Sequence, residues 1–225
     1  MDILCWCCLS PAWDDSKDGS VREARLRRTV TAVGDGACGK TSLLLRMSQD
    51  VFVEQVYEPT TFESDVVEVF RGTRKMQLTL QDCAGQETYD RMRPVAYADV
   101  HVILLCFSLD NPDSLVNAET TWFQVYGWPA MAVPTPPSPR LWEVTYYCPA
   151  VPLILVGNKK DLRDAWETTE TRDRPIGATF VTCQQGQDAA RRLKAKDYIE
   201  CSAKTSEGVK RVLGTSVRYS TLQKA

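Results

Sequence analysis

The stretch G34-D-G-A-C-G-K-T41 fits the pattern G-x-x-x-x-G-K-[ST], and the fold can be predicted outward from it. Its glycines let backbone N–H groups turn inward and approach phosphate oxygens, where a Cβ atom would collide. Lys40 can reach the β- and γ-phosphates of a nucleotide, and the Thr41 hydroxyl can ligate Mg²⁺. A strand pattern at 29–33 precedes the stretch and a helical pattern at 41–47 follows it. This context favours a phosphate-binding loop over a purely structural turn.

Short apolar runs alternate with helical patterns along the rest of the chain. The predicted strands cover 29–33, 66–70, 76–80, 100–107, 151–156 and 198–201, and the predicted helices cover 41–47, 188–193 and the segment from 207 onward. The second and third strands alternate apolar and polar residues around the turn R-G-T-R, which predicts a β-hairpin. The fourth and fifth are continuously apolar, as in strands buried on both faces. The alternation predicts an α/β fold, in which helices cover a sheet.

The composition is that of one globular domain. The chain has 225 residues, of which 44% are hydrophobic and 25% charged, and this length suits one core better than two. The net charge of −2 gives no reason to expect a nucleic-acid partner. No apolar run reaches the ~20 residues that span a bilayer, and the first residues lack the pattern of a secretory signal. Most of the nine cysteines stand singly in apolar or motif contexts, which favours a reduced, intracellular protein.

Two further segments carry residues suited to a metal and to hydrolysis. In L-T-L-Q-D-C-A-G-Q-E, Asp82 ends an apolar strand and is placed to hold Mg²⁺ through a water molecule. In the same segment the Gly85 N–H can donate to a γ-phosphate, and Gln86 can orient an attacking water. The segment Y-E-P-T-T-F offers Thr60 as a second hydroxyl for the metal.

The segment N-K-K-D predicts which base is recognised. A carboxylate such as Asp161 can accept from both the N1–H and the 2-amino group of guanine, whereas adenine would leave it unpaired; such a site can discriminate by about 10⁴ or more. Asn158 can tie this segment to the base and to the phosphate loop, and the Lys159 stem can cover the ring. The segment C-S-A-K adds a backbone N–H at Ala203 for guanine O6. Phe52 can stack edge-on against the base, with core packing as an equal alternative.

These motifs resemble those of small GTPases of the Ras superfamily, and specifically the Rho family. The resemblance covers about 28–213 and rests on G-D-G-A-C-G-K-T, Y-E-P-T-T-F-E, D-C-A-G-Q-E-T-Y-D-R-M-R-P, C-F-S-L-D-N-P-D-S-L, V-G-N-K-K-D-L-R and E-C-S-A-K-T. It implies the P-loop small GTPase fold, with a six-stranded, mostly parallel sheet, one antiparallel edge strand and helices on both faces. It also implies a switch that binds GTP or GDP with Mg²⁺ and hydrolyses GTP slowly to GDP.

The motifs and the resemblance define three sets of expected site residues. The expected nucleotide-binding residues are Gly34, Asp35, Gly36, Ala37, Cys38, Gly39, Lys40, Thr41, Ser42, Phe52, Tyr57, Thr60, Gly85, Asn158, Lys159, Asp161, Ser202, Ala203 and Lys204. The expected catalytic residues are Gln86, Lys40 and Gly36. Gln86 would orient the attacking water, Lys40 would neutralise phosphate charge, and Gly36 would leave space for Gln86 and an incoming arginine. The expected metal residues are Thr41, Thr60 and, through water, Asp82.

The resemblance also implies protein partners. Switch loops near Thr60 and Gln86 would bind a guanine-nucleotide exchange factor, a GTPase-activating protein and effectors. Glu58 stands two residues before Thr60, where some GTPases supply an arginine in cis, so the activating protein is expected to bring one. Control of actin, polarity or the cell wall follows only by family analogy. The protein is expected to be a monomer.

The expected organisation is an N-terminal tail at 1–27 and a GTPase domain at 28–225. Forty residues separate Asp161 from Ser202, and the surplus near 164–186 matches the position of the extra segment of Rho proteins.

A second addition, at 125–142, is rich in proline and has neither a helical nor a strand period. It follows a helix that is expected to end near Trp122, and deleting it restores a Rho-like join of W-x-x-E-V to C-P. These features indicate a neutral loop insertion or translated intron sequence. The alternative is a ligand for a partner protein, because P-T-P-P-S-P contains P-x-x-P.

Several positions depart from the Rho pattern. Cys83 replaces the usual threonine, a change of packing, and Thr61 replaces an apolar residue of the effector loop. Gly214, with its neighbours Thr215 and Ser216, is expected to weaken the last helix. The sequence ends V-R-Y-S-T-L-Q-K-A without a C-a-a-X motif, so prenylation is not expected.

Three N-terminal cysteines, Cys5, Cys7 and Cys8, stand beside apolar residues and can accept palmitate. The alternative is a disordered tail with incidental thiols. The expected location is therefore cytoplasmic, with peripheral membrane attachment only if these cysteines are acylated.

A rival interpretation is a non-cycling pseudo-GTPase, or a defective gene-model variant. The insertion and the altered C-terminus favour this interpretation. Intact Gln86, Thr60 and Asp161 oppose it.

Overall fold

The structure is a computed structural model, and it describes residues 26–54, 62–71, 74–85, 97–122, 144, 147–169 and 179–222. The strands are β1 (Leu26–Gly34), β2 (Phe62–Arg71), β3 (Arg74–Cys83), β4 (Val102–Ser108), β5 (Leu153–Asn158) and β6 (Asp197–Glu200). The helices are α1 (Lys40–Gln49), α2 (Pro112–Asn117) with a π-helical turn at Ala118–Trp122, α3 (Lys160–Thr168), α4 (Cys183–Arg192) and α5 (Val209–Ser220). None of the helices in this part of the chain is long and apolar enough to cross a membrane.

The six strands form one sheet in the order β2-β3-β1-β4-β5-β6. Only β2 runs antiparallel to its neighbour, and it lies at the edge of the sheet. All other pairs are parallel, with Val30 of β1 between Leu80 of β3 and Val102 of β4. The predicted six-stranded, mostly parallel sheet with one antiparallel edge strand is therefore confirmed. Because parallel strands end at the same edge, the segments after β1, β3, β5 and β6 meet there.

Two apolar clusters cover the two faces of the sheet. Alternate residues of β4 point to opposite clusters, with Leu104 on one face and Leu105 on the other. Helices α1 and α5 cover the face of Leu104, while α2, its π-helical turn and α4 cover the face of Leu105. Strands β4 and β5, which both have a neighbour on each side, are buried along their whole length, and this explains their continuously apolar sequences.

The predicted starts of two strands were too early. Strand β4 begins at Val102 and β5 at Leu153, instead of 100 and 151. Before β5, the Val151 N–H is bonded to the Cys148 carbonyl in a turn, and Pro152 has no N–H to give to a ladder. Apolar character alone did not show where strand pairing begins.

Helix α4 begins at Cys183, five positions before the predicted start at 188. The Thr182 hydroxyl accepts from the Gln185 N–H, and the Gln185 side chain accepts from the Thr182 N–H. This capping box fixes the start of the helix. In the sequence, the pattern T-C-Q-Q at 182–185 indicates such a capping box.

The proposed extra segment at 164–186 overlaps two helices in the structure. Its first residues form the end of α3 and its last residues form the first turn of α4, while 170–178 lie outside the described residues. Residues 1–25 of the predicted tail at 1–27, with the cysteines within it, and the proposed insertion at 125–142 also lie outside them, whereas Leu26 and Arg27 already belong to β1. The helix predicted before the insertion is described as far as Trp122, the last residue of the π-helical turn at Ala118–Trp122.

Candidate functional site

The loop between β1 and α1 has the backbone that its glycines predict. A Cβ atom at Gly34 (φ +139°) would lie 2.1 Å from the Cys106 carbonyl oxygen of β4, so only glycine fits there. Further along, Ala37 (φ 57°) and Gly39 (φ 92°) take left-handed conformations. The loop then leads into α1 at Lys40, so the N–H groups of the first helical turn face the loop. This geometry suits a phosphate group.

Lys40 is buried, and its ammonium lies inside the loop. Its Nζ donates to the carbonyl oxygens of Gly34 at 2.9 Å and Asp35 at 2.7 Å. These bonds hold the positive charge against the backbone that would surround a phosphate. Thr41 and Ser42 follow in the first turn of α1.

The Asp35 side chain has a structural role that the sequence motifs did not reveal. Its carboxylate accepts from Asn117 Nδ2 at 2.7 Å and from Trp122 Nε1 at 2.8 Å. Asn117 ends α2 and Trp122 ends the π-helical turn, so the phosphate loop is bonded to this helical segment. Asp35 therefore contributes its side chain to the loop's support, which leaves its backbone for a nucleotide. No spacing in the sequence links Asp35 to these two residues.

The expected metal residues at the ends of α1 and β3 are in contact. Thr41 Oγ1 donates to Asp82 Oδ2 at 2.5 Å, and Asp82 is only 3% exposed. A hydroxyl and a carboxylate are hard oxygen donors of the kind that Mg²⁺ prefers. The residues present therefore fit a magnesium ion held by Thr41, with Asp82 behind it. Thr60, the other expected ligand, lies outside the described residues.

Gly85 lies against the phosphate loop. A Cβ atom built on it would be 2.5 Å from backbone atoms of Gly34, Asp35 and Gly36. The segment after β3 therefore meets the loop after β1, as the γ-phosphate assignment of Gly85 requires. Gln86, the next residue, and Tyr57 lie outside the described residues.

Asn158 connects the proposed base site with the phosphate loop, as predicted. Its Nδ2 donates to the Cys38 carbonyl at 2.9 Å, and its Oδ1 accepts from the Cys201 thiol at 3.2 Å. Gly39 also packs on this side chain, because a Cβ there would lie 3.4 Å from the Asn158 Cβ. One buried amide thus joins the ends of β1, β5 and β6.

Two cysteines at this junction are buried thiols. Burial raises the pKa of Cys38 above its usual value, and burial raises the pKa of Cys201 to about 12. Both therefore stay protonated at neutral pH, so the Cys201 thiol can donate to Asn158. The Cys38 thiol lies 3.5 Å from the Cys106 carbonyl.

Asp161 lies in the first turn of α3, directly after the base motif. Lys159 takes a left-handed conformation (φ 60°) at the helix start, which turns the chain between Asn158 and Asp161. The Ser202 hydroxyl donates to Asp161 Oδ1 at 2.6 Å and accepts from the Thr205 N–H at 3.1 Å. Ser202 therefore fixes both the carboxylate and the loop that carries Ala203.

Two expected residues, Lys159 and Lys204, form ion pairs at the rim of this region. Lys159 Nζ is 3.4 Å from Asp110 Oδ2, and Lys204 Nζ is 3.3 Å from Glu54 Oε1. Phe52 is partly exposed, and neither core cluster formed by the described residues includes it. The alternative of core packing for Phe52 therefore has no support in the described structure.

A buried ion pair behind the base loops was not predicted. The Arg163 guanidinium of α3 donates to both carboxylate oxygens of Glu200 in β6 and to the Val181 carbonyl. Tyr198 OH donates to Glu200 Oε1 at 2.8 Å. Burial alone would raise the pKa of Glu200, but the bonds from Arg163 and Tyr198 outweigh it and lower that pKa. Burial, together with the Glu200 charge, raises the pKa of Tyr198 well above its usual value.

Comparison with known proteins gives consistent results. The family model described as "Ras family" matches residues 29–129 and 139–221, and the unmatched residues between them lie within 125–142. The chain is 46% identical to the GTP-binding protein RHO1 of Candida albicans over 197 residues, 88% of this chain and 89% of that protein. It is also 46% identical to the Rho-related GTP-binding protein RhoB of Homo sapiens over 201 residues, 89% of this chain and 92% of that protein. The protein therefore belongs to the Ras family of small GTPases and, within it, to the Rho family.

Proposed function

We propose that this Rho-family GTPase binds GTP at the edge of the sheet where β1, β3, β5 and β6 end, and hydrolyses it slowly to GDP as a molecular switch. The observation that carries the proposal is the bond from Asn158 to the Cys38 carbonyl, because it joins the base motif to the phosphate loop. A single ligand with a base at one end and phosphates at the other would contact both the base motif and the phosphate loop.

The base end of the proposed site suits guanine. Asp161 would accept from the N1–H and the 2-amino group, and its orientation is supported by the bond from Ser202. Ala203 would donate its N–H to O6, and the Lys159 stem would cover the ring. Adenine has no 2-amino group and has an acceptor at N1, so it would leave Asp161 without a donor.

The phosphate end of the proposed site divides its tasks among four described residues. Lys40, held inside the loop, would neutralise charge on the β- and γ-phosphates. Thr41 would hold Mg²⁺, with Asp82 acting through water, and the ion would neutralise charge that develops on the phosphates. Gly85 would donate its N–H to the γ-phosphate.

The hydrolytic step is assigned from the sequence. Gln86 would orient the attacking water, Thr60 would complete the metal site, and Tyr57 would contact the nucleotide. Gly36 would leave space for Gln86 and for an arginine brought by an activating protein. Such an arginine is worth about 10³–10⁵ in rate, and Glu58 does not replace it.

The proposed partners are an exchange factor, an activating protein and effectors, all acting on the switch loops. The γ-phosphate would hold these loops and hydrolysis would release them. A role in the cytoskeleton or polarity follows from the family alone. The proposed location is cytoplasmic, with peripheral membrane attachment only if Cys5, Cys7 and Cys8 are acylated. A single acyl chain binds only marginally, so two or more would be needed.

Asp161→Asn tests the proposal. The new amide can donate to the 2-oxo group of xanthine, so the variant should bind XTP better than the wild type does and GTP at least tenfold less well. The measurement is competition between GTP and XTP against a fluorescent guanine nucleotide. Asp164→Asn is the matched control, because Asp164 lies on the same helix and pairs with Lys160 instead. An unchanged preference for GTP in Asp161→Asn would remove Asp161 from the site.

A further inference from the structure

Arg46 lies in the last turn of α1 and belongs to none of the nucleotide-binding motifs. Its side chain is only 15% exposed, and its guanidinium contacts two parts of the chain. Nε donates to the Ala203 carbonyl at 2.7 Å, and Nη2 donates to the Lys204 carbonyl at 3.3 Å. Nη1 donates to the Asp50 carbonyl at 2.7 Å and reaches Asp50 Oδ1 at 3.3 Å.

These bonds join the end of α1 to the loop that carries Ala203. Asp50 ends the helix in a left-handed conformation (φ 54°, ψ 32°), so its carbonyl is available to the guanidinium. The planar fork of arginine can bond to several carbonyls at once in a fixed geometry, which the single ammonium of lysine cannot do. Arg46 therefore fixes the distance and orientation between helix and loop.

Two residues hold the loop at 202–204. The Ser202 hydroxyl bonds to Asp161 and to the Thr205 N–H. Arg46 bonds to the carbonyls of Ala203 and Lys204, which belong to the two peptide units that follow the Ala203 N–H. Because peptide units are planar, fixing these carbonyls restricts the backbone on the far side of Ala203. The Ala203 N–H direction then depends on both Ser202 and Arg46.

We infer that Arg46 is a positioning residue for guanine recognition, which holds the loop at 202–204 so that the Ala203 N–H faces O6 of the base. The inference rests on the proposed role of Ala203. Helix α1 begins with Lys40 and Thr41 at the phosphate loop and carries Arg46, in its last turn, against the loop at 202–204. The same helix therefore supports both ends of the nucleotide.

The test compares GTP with 6-thio-GTP, which keeps the N1–H and the 2-amino group but has a weaker acceptor at position 6. Arg46→Ala should raise the GDP dissociation rate about tenfold, as expected when the loop at 202–204 loses its two hydrogen bonds from Arg46. It should also lower the preference for GTP over 6-thio-GTP, because the Ala203 N–H no longer faces that position. Arg46→Lys should be intermediate. The control is Arg211→Ala, which removes an arginine that is 64% exposed and pairs with Asp197 on the surface.

A merely structural role would weaken binding of both nucleotides equally, so an unchanged GTP to 6-thio-GTP ratio in Arg46→Ala would overturn the inference. Should that variant fail to fold, the ratio in Arg46→Lys decides: a lowered ratio supports the inference and the wild-type ratio overturns it. Competition between GTP and ATP on the wild type separates the two proposals. A wild type without preference for GTP would overturn the proposed function itself.

Discussion

Gly85 brings the end of β3 closer to the phosphate loop than a residue with a side chain could. The three atoms that a Cβ would meet at 2.5 Å are Asp35 C, Gly34 O and Gly36 N. All three belong to the backbone, so none can rotate away as the end of a long side chain would. Gly34 is restricted in the same way, by the Cys106 carbonyl. Close approach of backbone segments explains both glycines, and at Gly34 the positive φ also favours glycine.

Gly85→Ala should therefore push the segment after β3 away from the loop. Overpacking of this kind costs about 1–3 kcal/mol, and the loss should fall on GTP more than on GDP because Gly85 is assigned to the γ-phosphate. Equilibrium binding of GDP and of a non-hydrolysable GTP analogue measures the difference. Equal loss of both affinities would contradict the γ-phosphate assignment.

Single residues of the site were predictable where a motif fixes their spacing. Lys40 lies in the loop, and Asn158 bonds to it, as the sequence predicted. Asn117 and Arg46 were not predictable, because their partners lie far away in the chain. No local pattern shows which helix end faces which loop.

At the scale of elements, α5 shows packing overcoming weak helix propensity. Gly214 and its neighbours predicted a weakened helix, yet α5 runs unbroken from Val209 to Ser220. Val209, Val212 and Val217 are buried against the sheet, and this burial stabilises the helix. Gly214 itself stands where an added Cβ would meet nothing within 4 Å.

Gly214→Ala should stabilise the protein. Alanine is favoured over glycine inside a helix by roughly 0.5–1 kcal/mol, and here no contact opposes it. For a chain of this size, the melting temperature should rise by roughly 1–4 °C. Thermal unfolding with saturating GDP is the measurement, and a lowered melting temperature would show that α5 is not helical at this position.

The boundaries of elements were less predictable than their existence. The capping box of Thr182 and Gln185 was readable in the sequence and sets the start of α4. The start of β5 depends on the turn made by Val151 and Cys148, which apolar character does not reveal. Helix α3 carries Asp161 in its first turn, and its residues from 164 onward fall within the predicted extra segment near 164–186.

At the scale of the whole molecule, the Arg163–Glu200 pair joins β6 and α3, and Arg163 also bonds to the Val181 carbonyl in the segment before α4. It lies directly behind both base motifs, two residues after Asp161 and one before Cys201. The pair therefore links the stability of this half of the sheet to the position of the base loops.

Low pH should reduce the stability that the Arg163–Glu200 pair contributes. The folded-state pKa of Glu200 is lowered, so its contribution is present above the unfolded pKa of about 4.3 and is lost as the pH falls through the folded pKa. Glu200→Gln should lower the free energy of unfolding at pH 7 by about 1–3 kcal/mol. The difference in free energy of unfolding between Glu200→Gln and the wild type should become smaller below about pH 4. Urea unfolding of both proteins at pH 7 and at pH 3.5 measures this difference. If the difference were the same at both pH values, Glu200 would be excluded as the titrating group.

The alternation of strands and helices predicted the α/β class, and the Rho resemblance implied the six-stranded, mostly parallel sheet that the structure has. A phosphate motif after β1 and a base motif after β5 can meet only if those strands run parallel, and the structure has them parallel through β4. The proposed insertion at 125–142 follows Trp122 and precedes β5, whose first residue lies at the opposite end of the strand from Asn158. We therefore propose that the insertion enters the fold away from the nucleotide.

Single-turnover hydrolysis tests the account most directly. The purified protein is loaded with GTP, Mg²⁺ is added, and conversion to GDP is followed in the wild type and in Gln86→Leu. The wild type should convert its GTP in one slow exponential phase, with a rate constant on the order of 10⁻⁴ s⁻¹, while Gln86→Leu retains GTP with similar affinity. A wild type that binds GTP but hydrolyses it no faster than Gln86→Leu does would contradict the account and indicate a nucleotide-binding module that does not cycle.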